Sequence, residues 1–529
     1  MTDSTNLLTQ PLIAAAPRGL LSLPGLLAAL TRDDVDSFPA LRPHQAPAWH
    51  MFLVQLGALA MHRAGQTELP RDEDSWRDLL RKLTPDFADD APWRLAVEDW
   101  SKPAFLQPPV PKGVKLENAV PTPDALDLLI TSKNHDLKQA VAQVAAPEDW
   151  IFALVSLQTG EGYGGSGNQG VARMNGGSSS RPMVTLAPLP VGGKAMTPRP
   201  GAWFVRDARV LLETREAELK RCAPFAYPET GGLGLTWLAP WPEEAQLQLC
   251  ELDIWFIEIC RRVRLSARGE TMSAVKGTSK ATRIDAKAFK GALGDPFAPV
   301  HKIENKSLTL GDGDFDYSRL TALLLSGDWE LPLLARPAPF ERAGDTMAVV
   351  CAALSRGNSK TDGFKSRVLP LSGRKAHSLG ARRQALFQLA EAQMQDIDAI
   401  DKALGYGIAV AAAGGDRDKI KKEYYGHAAA ARAAFDRAVD AMSFDHLWAR
   451  DAAQQQGAEA LKAEQTGFRR ALLGHAQAAF DAALPTIPCA SLFWLRAEAR
   501  ARSAFTGRLR HEFPDLFAKA PVEDADHAA

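Results

Sequence analysis

The sequence predicts an α+β protein in two parts: a large mixed N-terminal domain with long loops over residues 1–370, and a C-terminal four-helix bundle with an acidic tail over residues 371–529. Three observations lead there. The chain has 529 residues, 46% of them apolar, enough for roughly two to four domains and a real core. Prolines and glycines are dense from 101 to 210, where helical period is lost except near Asp124–Leu129 and Pro147–Leu157, so loops on a scaffold of strands and short helices are expected. Between Pro370 and Arg510, by contrast, alanine dominates and proline occurs only at 485 and 488, the composition of packed helices.

Within 1–100 the clearest helix is Ala48–Ala64, which follows the proline-containing segment Arg42-Pro43-His44-Gln45-Ala46-Pro47 and belongs to a helical subdomain. Over 233–265 the runs Gln246–Cys250 and Ile254–Ile257 favour strands, although the second equally fits the start of a buried helix. Beyond a boundary near 370–378, interruptions at Gly414-Gly415, Met442-Ser443-Phe444 and Pro485–Pro488 divide the chain into about four helices. The tail from Pro514 ends in Glu523-Asp524-Ala525-Asp526 and is expected to fray. No repeat of about 20–50 residues is visible.

Composition excludes several classes. Cysteines at 222, 250, 260, 351 and 489 form no C-x-x-C pair, which argues against a disulfide framework, an iron–sulfur cluster or a cysteine-rich zinc site and fits a reducing cytoplasm. No basic residue precedes the first apolar stretch, so no secretory signal is expected. The longest apolar stretches, around Met51–Met61 and Ile408–Ala413, fall short of the about 18–20 residues of a spanning helix, and no membrane partner is expected.

The net charge of −1, from 62 basic and 63 acidic residues, hides three basic regions: +5 over 162–206, which has no carboxylate, +7 over 261–306, and +5 over 374–510. Such regions suit a polyanion, although solvated charged surface is the commoner meaning of each. Eight glycines fall between Gly160 and Gly177, and Gly162-Tyr163-Gly164-Gly165-Ser166-Gly167 formally matches G-x-G-x-x-G. Dinucleotide binding would need a helix opening within the motif and an acid about twenty residues later; poor helix formers follow, and no Asp or Glu occurs from 162 to 206. A backbone that can approach a phosphate or a groove closely is the better reading.

Catalytic constellations are weak. His44, His50 and His62 lack the H-E-x-x-H arrangement, and the His135-Asp136 pair has no further ligand at metal spacing, so packing or surface roles are expected. In Gly357-Asn358-Ser359-Lys360-Thr361, Ser359 and Leu354 stand where a P-loop needs glycine, and no G-x-S-x-G elbow occurs. No cofactor and no metal are expected from these residues.

Several segments, taken in order, resemble the CasA family, the large subunit of the type I-E CRISPR surveillance complex Cascade. They are Asn6–Ile13, Leu41–Gln45, Phe105-Leu106-Gln107, Thr131–Asp136, the glycine loop, Gly294-Asp295-Pro296-Phe297, Arg356–Thr361 and the C-terminal bundle. The resemblance implies a cytoplasmic, non-enzymatic reader of the protospacer-adjacent motif (PAM) in invading double-stranded DNA, with partners comprising the other Cascade subunits, the CRISPR guide RNA and a recruited helicase-nuclease. It sets Gly162, Gly164 and Gly165 against the minor groove, joined by one lysine among Lys276, Lys280, Lys287 and Lys290. It assigns a duplex-opening hairpin to Asn358, Ser359 and Lys360, with Ser359 where some members carry glutamine. Lys133, Asn134, His135 and Asp136 correspond to the loop that anchors the subunit near the guide 5′ handle. Charge within the bundle makes Arg382, Arg383, Lys421, Lys422, Arg496 and Arg500 candidate phosphate contacts. Two alternatives are a scaffold that binds RNA nonspecifically and a nucleotide-dependent enzyme using the glycine loop.

Overall fold

A computed structural model describes residues 5–127, 145–177, 179–190, 197–269, 271–311, 313–357 and 360–517. The chain divides into two compact units, Met1–Phe315 with Gly327–Ala381, and Asp316–Ser326 with Arg382–Ala529. The division therefore runs at 381/382, and one short helix from within residues 1–370 belongs to the C-terminal unit.

In the first unit, strands β1 (Ile13–Ala15) and β2 (Gly19–Leu21) form an antiparallel pair. They are followed by helices α1 (Leu23–Thr31), α2 (Ala46–Ala64) and α3 (Glu73–Lys82). Local chemistry sets the helix ends: the Ser22 hydroxyl accepts the Gly25 N–H, Asp72 accepts the Ser75 N–H, and Gly65 takes a left-handed φ of 64° to close α2. Helix α2, expected from Ala48, is buried from Pro47 to Met61, as befits an axis with neighbours all round.

Those neighbours include α4 (Pro147–Gly160) and α5 (Pro200–Arg221); strand β3 (Asn118–Val120) precedes them, β4 (Met183–Pro188) lies between them, and β5 (Leu233–Leu235) and β6 (Leu252–Ile257) follow. The core gathers on α2: Trp49 stacks on Phe52 at 5.7 Å and meets Phe152 edge-on at 5.1 Å, geometries that aromatic quadrupoles favour. Strand β6 is buried on both faces and pairs parallel with β5, so the Ile254–Ile257 run is a strand. Gln246–Cys250 is not one; Leu247 makes a lone bridge to Ile284 and Leu249–Glu251 is a 3-10 turn.

The 22-residue α5 departs from the loop expected up to residue 210. Pro200 stands at its first turn, where proline is tolerated, and a distant carboxylate, Asp33, accepts the Ala202 N–H at 2.9 Å. The cap is remote in sequence, so the local signal reads as a turn. Near Asp124–Leu129 only a 3-10 turn, Pro123–Ala125, is formed, and residues 128 and 129 lie outside the described residues.

Three small sheets complete the unit. Strands β7 (Arg262–Arg268) and β8 (Thr271–Gly277) form an antiparallel hairpin with β3 on the far edge of β8. Strands β9 (Val300–His301), β10 (Lys306–Ser307) and β11 (Trp329–Glu330) make a minimal sheet in the order β10-β9-β11. Strands β12 (Thr346–Gly357) and β13 (Lys360–Ser372) form a long hairpin with β4 along β12, and α7 (Gly373–Ala381) packs on its base. Here α6 is the helix Tyr317–Leu325, which belongs to the second unit.

The second unit is the expected bundle: α8 (Arg383–Ala412), α9 (Ala429–Gln456), α10 (Ala458–Ala483) and α11 (Trp494–Glu512), with α8 touching the other three. Helix α6 is moored to α9 by the Tyr317 N–H and hydroxyl, which donate to Asp440 at 2.7 Å and Asp436 at 3.0 Å. Breaks fall at Gly414-Gly415 and around 485–488 as expected, but Met442-Ser443-Phe444 lies inside unbroken α9. Ser443 and Phe444 are buried there, and Gln393 donates to the Ser443 carbonyl and hydroxyl at 2.8 and 2.9 Å. The break is instead at Gly457, whose φ of 128° no other residue adopts at low cost.

One buried ion pair joins separate parts of the first unit. Arg181, which precedes β4, grips Asp295 with two hydrogen bonds of 2.6 Å and donates to Gln55 of α2 at 3.1 Å. Burial pushes the Asp295 carboxyl up, but the Arg181 charge and hydrogen bonds outweigh it and hold the group below its usual range. Replacing Asp295 by Ala should cost about 3–5 kcal/mol because it strands a buried guanidinium, whereas the double variant Arg181→Met, Asp295→Leu should cost less; urea unfolding curves compare them. A lowered native pKa contributes stability above the unfolded Asp range of about pH 4 and loses it as pH falls further, so the gap between wild type and D295A should narrow on acidification.

Candidate nucleic-acid interface

Helix α4 ends at Gly160, and the glycine loop leaves from its end rather than leading into a helix. That order is opposite to the dinucleotide fingerprint. An antiparallel bridge between Glu161 and Ser180 closes the loop, and the Arg181 N–H donates to the Gly160 carbonyl at 2.8 Å. Inside it, Tyr163 N–H donates to Gly177 at 3.0 Å, and Gly164 N–H to Asn168 at 2.9 Å. Gly162 is buried, and a Cβ there would overlap the carbonyl oxygens of Gly177 and Ser179. Gly165 has a left-handed φ of 108° with open space where a Cβ would stand. Thus Gly162 closes the base of the loop, while Tyr163, Gly164 and Gly165 form its accessible tip.

The loop rests on the end of β8. Ser279 N–H donates to the Gly167 carbonyl at 2.9 Å, and Gln169 reaches the Lys280 carbonyl at 3.2 Å. Lys276 lies on β8, opposite Asn118 of β3 on one side and Val263 of β7 on the other. Burial, then the nearby Arg261 charge, holds its ammonium below the ordinary lysine range, with Glu161 opposing. Lys280 is exposed, 3.7 Å from Glu244. Lys287 and Lys290 are also exposed but sit at the other end of the loop, where Gly291 packs against the Arg173 carbonyl. Of the four candidates, Lys276 and Lys280 flank the stretch from Gly162 to Gln169.

The arginines expected to give these regions a basic surface are mostly inside. Arg173 is fully buried over the Phe256 ring at 3.9 Å, 3.8 Å from Asp295. Arg199 pairs with Asp33 and Asp36, and Arg206 with Glu341 and Asp207. Arg261 donates to the Gly162 carbonyl at 3.1 Å, Arg262 to Pro242, Arg264 to Lys102 and Arg283 to Ala239. The excess over 162–206 and 261–306 is therefore spent largely on buried carboxylates and loop carbonyls. Among the described residues of these two regions, Arg268, Lys280, Lys287, Lys290 and Lys302 remain exposed.

The β12–β13 hairpin meets the same loop. Ser179 Oγ donates to the Leu354 carbonyl, and the Leu354 N–H donates to Ser180 Oγ at 2.7 Å. Three residues farther on, Gly357 pairs with Lys360, so the strand continues about 10 Å past this contact. Asn358 and Ser359 lie outside the described residues. Loop, lysine strand and hairpin are thus pinned to one another within one unit.

Three solved structures match the chain almost end to end. A CasA from Thermus thermophilus is 15% identical, with a TM-score of 0.60 over 96% of this chain and 99% of that one. For CRISPR-associated protein Cse1 from Acidimicrobium ferrooxidans the values are 15%, 0.59, 96% and 98%, and for Thermobifida fusca Cse1 they are 16%, 0.59, 96% and 98%. CasA and Cse1 are two names for one protein. The chain has the Cse1 fold. No protein-family model and no curated protein matches the sequence, so the likeness lies in the fold.

Within this Cse1 fold the four arginines singled out in the bundle have structural partners. Arg382 pairs with Asp451 at 2.8 Å, and Arg383 donates to the Ser326 carbonyl at 2.7 Å, at the end of α6. Arg496 and Arg500 donate to the Gly414 and Gly415 carbonyls, each at 3.0 Å, where α8 ends. Lys421 and Lys422 are exposed. Lys133, Asn134, His135 and Asp136 lie outside the described residues. His44 and His50 are buried against Asp127 and Asp207 at 2.6 and 2.9 Å, packing roles as expected. Among the described residues no His, Cys, Asp or Glu group could hold a metal, and no helix is long and apolar enough to cross a membrane.

Sequence reasoning passed over Asn118 and the side chain of Tyr163; an aromatic in a run of glycines was the available signal for the latter. Gly162→Ala should cost about 1–3 kcal/mol by overpacking against two carbonyls, whereas Gly165→Ala should cost about 1 kcal/mol from backbone strain alone. Hydrogen exchange at the Tyr163 and Arg181 amides should accelerate strongly in the first variant and little in the second; equal acceleration would contradict the loop closure described.

Proposed function

We propose that this chain is the large subunit of a CRISPR RNA-guided surveillance complex and reads the PAM of invading duplex DNA. The observation that carries the reading is the joining of glycine loop, Lys276 strand and β12–β13 hairpin at one place, in a fold shared with Cse1. The tip at Gly164-Gly165 brings backbone close to a groove floor, and Lys276 beside it supplies a cation for the adenine N3 and thymine O2 acceptors that line a minor groove. That pattern is degenerate, so motif recognition is tolerant. Guide RNA pairing reads the remaining sequence.

In this reading the chain has no catalytic residue and no cofactor, and cleavage belongs to a recruited helicase-nuclease. The segment Lys133–Asp136 anchors the subunit beside the guide 5′ handle and its neighbouring Cascade subunits. Phosphate contacts of the bundle fall first to the exposed Lys421 and Lys422, because the four arginines already have internal partners. An enzyme working through the glycine loop is disfavoured by the order of helix and loop.

The chain assembled with guide RNA and its partner subunits is expected to enrich particular motifs from a duplex library randomised beside a matched target. Uniform recovery of all motifs overturns the reading. Lys276→Ala should weaken target binding and flatten the plot of log affinity against log salt by about 1, the signature of one lost cation contact.

A further inference from the structure

In sequence, Asn358 and Ser359 stand between β12 and β13, and neither has a large apolar side chain. Opening a duplex calls for something that separates stacked bases, and minor-groove proteins do so with apolar wedges. The glycine loop holds one such group. Tyr163 is 40% exposed, the only exposed large hydrophobic residue in the loop among the described residues.

Its backbone is fixed on both sides. The Tyr163 N–H donates to Gly177, the Gly162 carbonyl before it accepts from Arg261, and the Gly164 N–H after it donates to Asn168. Flanking glycines leave the ring no neighbouring side chain in sequence to lie upon. Among the described residues its hydroxyl has no hydrogen-bond partner. The ring is amphipathic and solvent-facing on a backbone held from both sides, so it can meet a groove floor together with the tip of the loop. Gly165 next to it is open to close approach, and Lys276 lies on the strand under the loop.

We propose that Tyr163 enters the minor groove at the motif and partly unstacks a base step there, so that strand separation begins at the glycine loop and the hairpin keeps the strands apart. The inference rests on the functional reading above and adds to it the residue that starts opening. It assigns the ring the work, with the hydroxyl left at the wet edge of the groove.

The test uses the full complex with guide RNA and a duplex bearing the selected motif, with 2-aminopurine at successive positions in and beside it. Wild-type binding should raise the fluorescence of one probe, and Tyr163→Phe should retain that rise. Tyr163→Ala should abolish it and weaken binding about tenfold, the order of one lost base–aromatic stack. Unchanged fluorescence in Y163A overturns the wedge, and loss in Y163F as well overturns the assignment to the ring. If the wild-type complex binds motif and mutated-motif duplexes alike, the functional reading itself falls, and this inference with it.

Discussion

The first unit depends on the Arg181–Asp295 pair. Arg181 does two jobs with one residue: its N–H closes the glycine loop on Gly160, and its side chain ties that closure to Asp295 and to Gln55 of the central helix α2. Asp295 in turn accepts the Phe297 N–H at 3.0 Å, and the Phe297 carbonyl receives the Val184 N–H of β4 at 2.8 Å. A buried pair of this kind adds little net stability over an apolar substitute, but neither partner can be lost alone. It therefore acts as a registration point, setting where the loop begins relative to the helix behind it.

The same chemistry explains where the positive charge goes. Long irregular segments leave carbonyls without ladder partners, and a buried carbonyl must be hydrogen-bonded. Guanidinium, with five donors in a planar fork, can satisfy several at once. Arg262 serves the turn at Trp241-Pro242 and also the Thr278 carbonyl, and Arg283 serves Pro240 and Ala239. Arg496 and Arg500 do likewise at the end of α8. Arginine here is mostly mortar for loops.

The glycine loop is held by backbone hydrogen bonds, by Arg261 beside Gly164 and by the Ser180–Leu354 bond.

Periodicity and composition alone determined the helical axis at Ala48–Ala64, the helix from Pro147, the alanine-rich bundle and the unusual glycine loop, because each is a local pattern written in contiguous residues. The order of short motifs also pointed to the fold. Tertiary structure decided the rest. Asp33 caps α5 from far upstream, and Gln393 holds Ser443 inside an unbroken helix, so proline and Met-Ser-Phe signals that read as breaks were overridden by partners about 170 and 50 residues away. Net charge by segment misplaced the basic surface for the same reason: a segment sum counts arginines but not the distant carboxylates and carbonyls that bury them, and only the fold brings Asp295, Glu341 and the loop carbonyls to their guanidiniums.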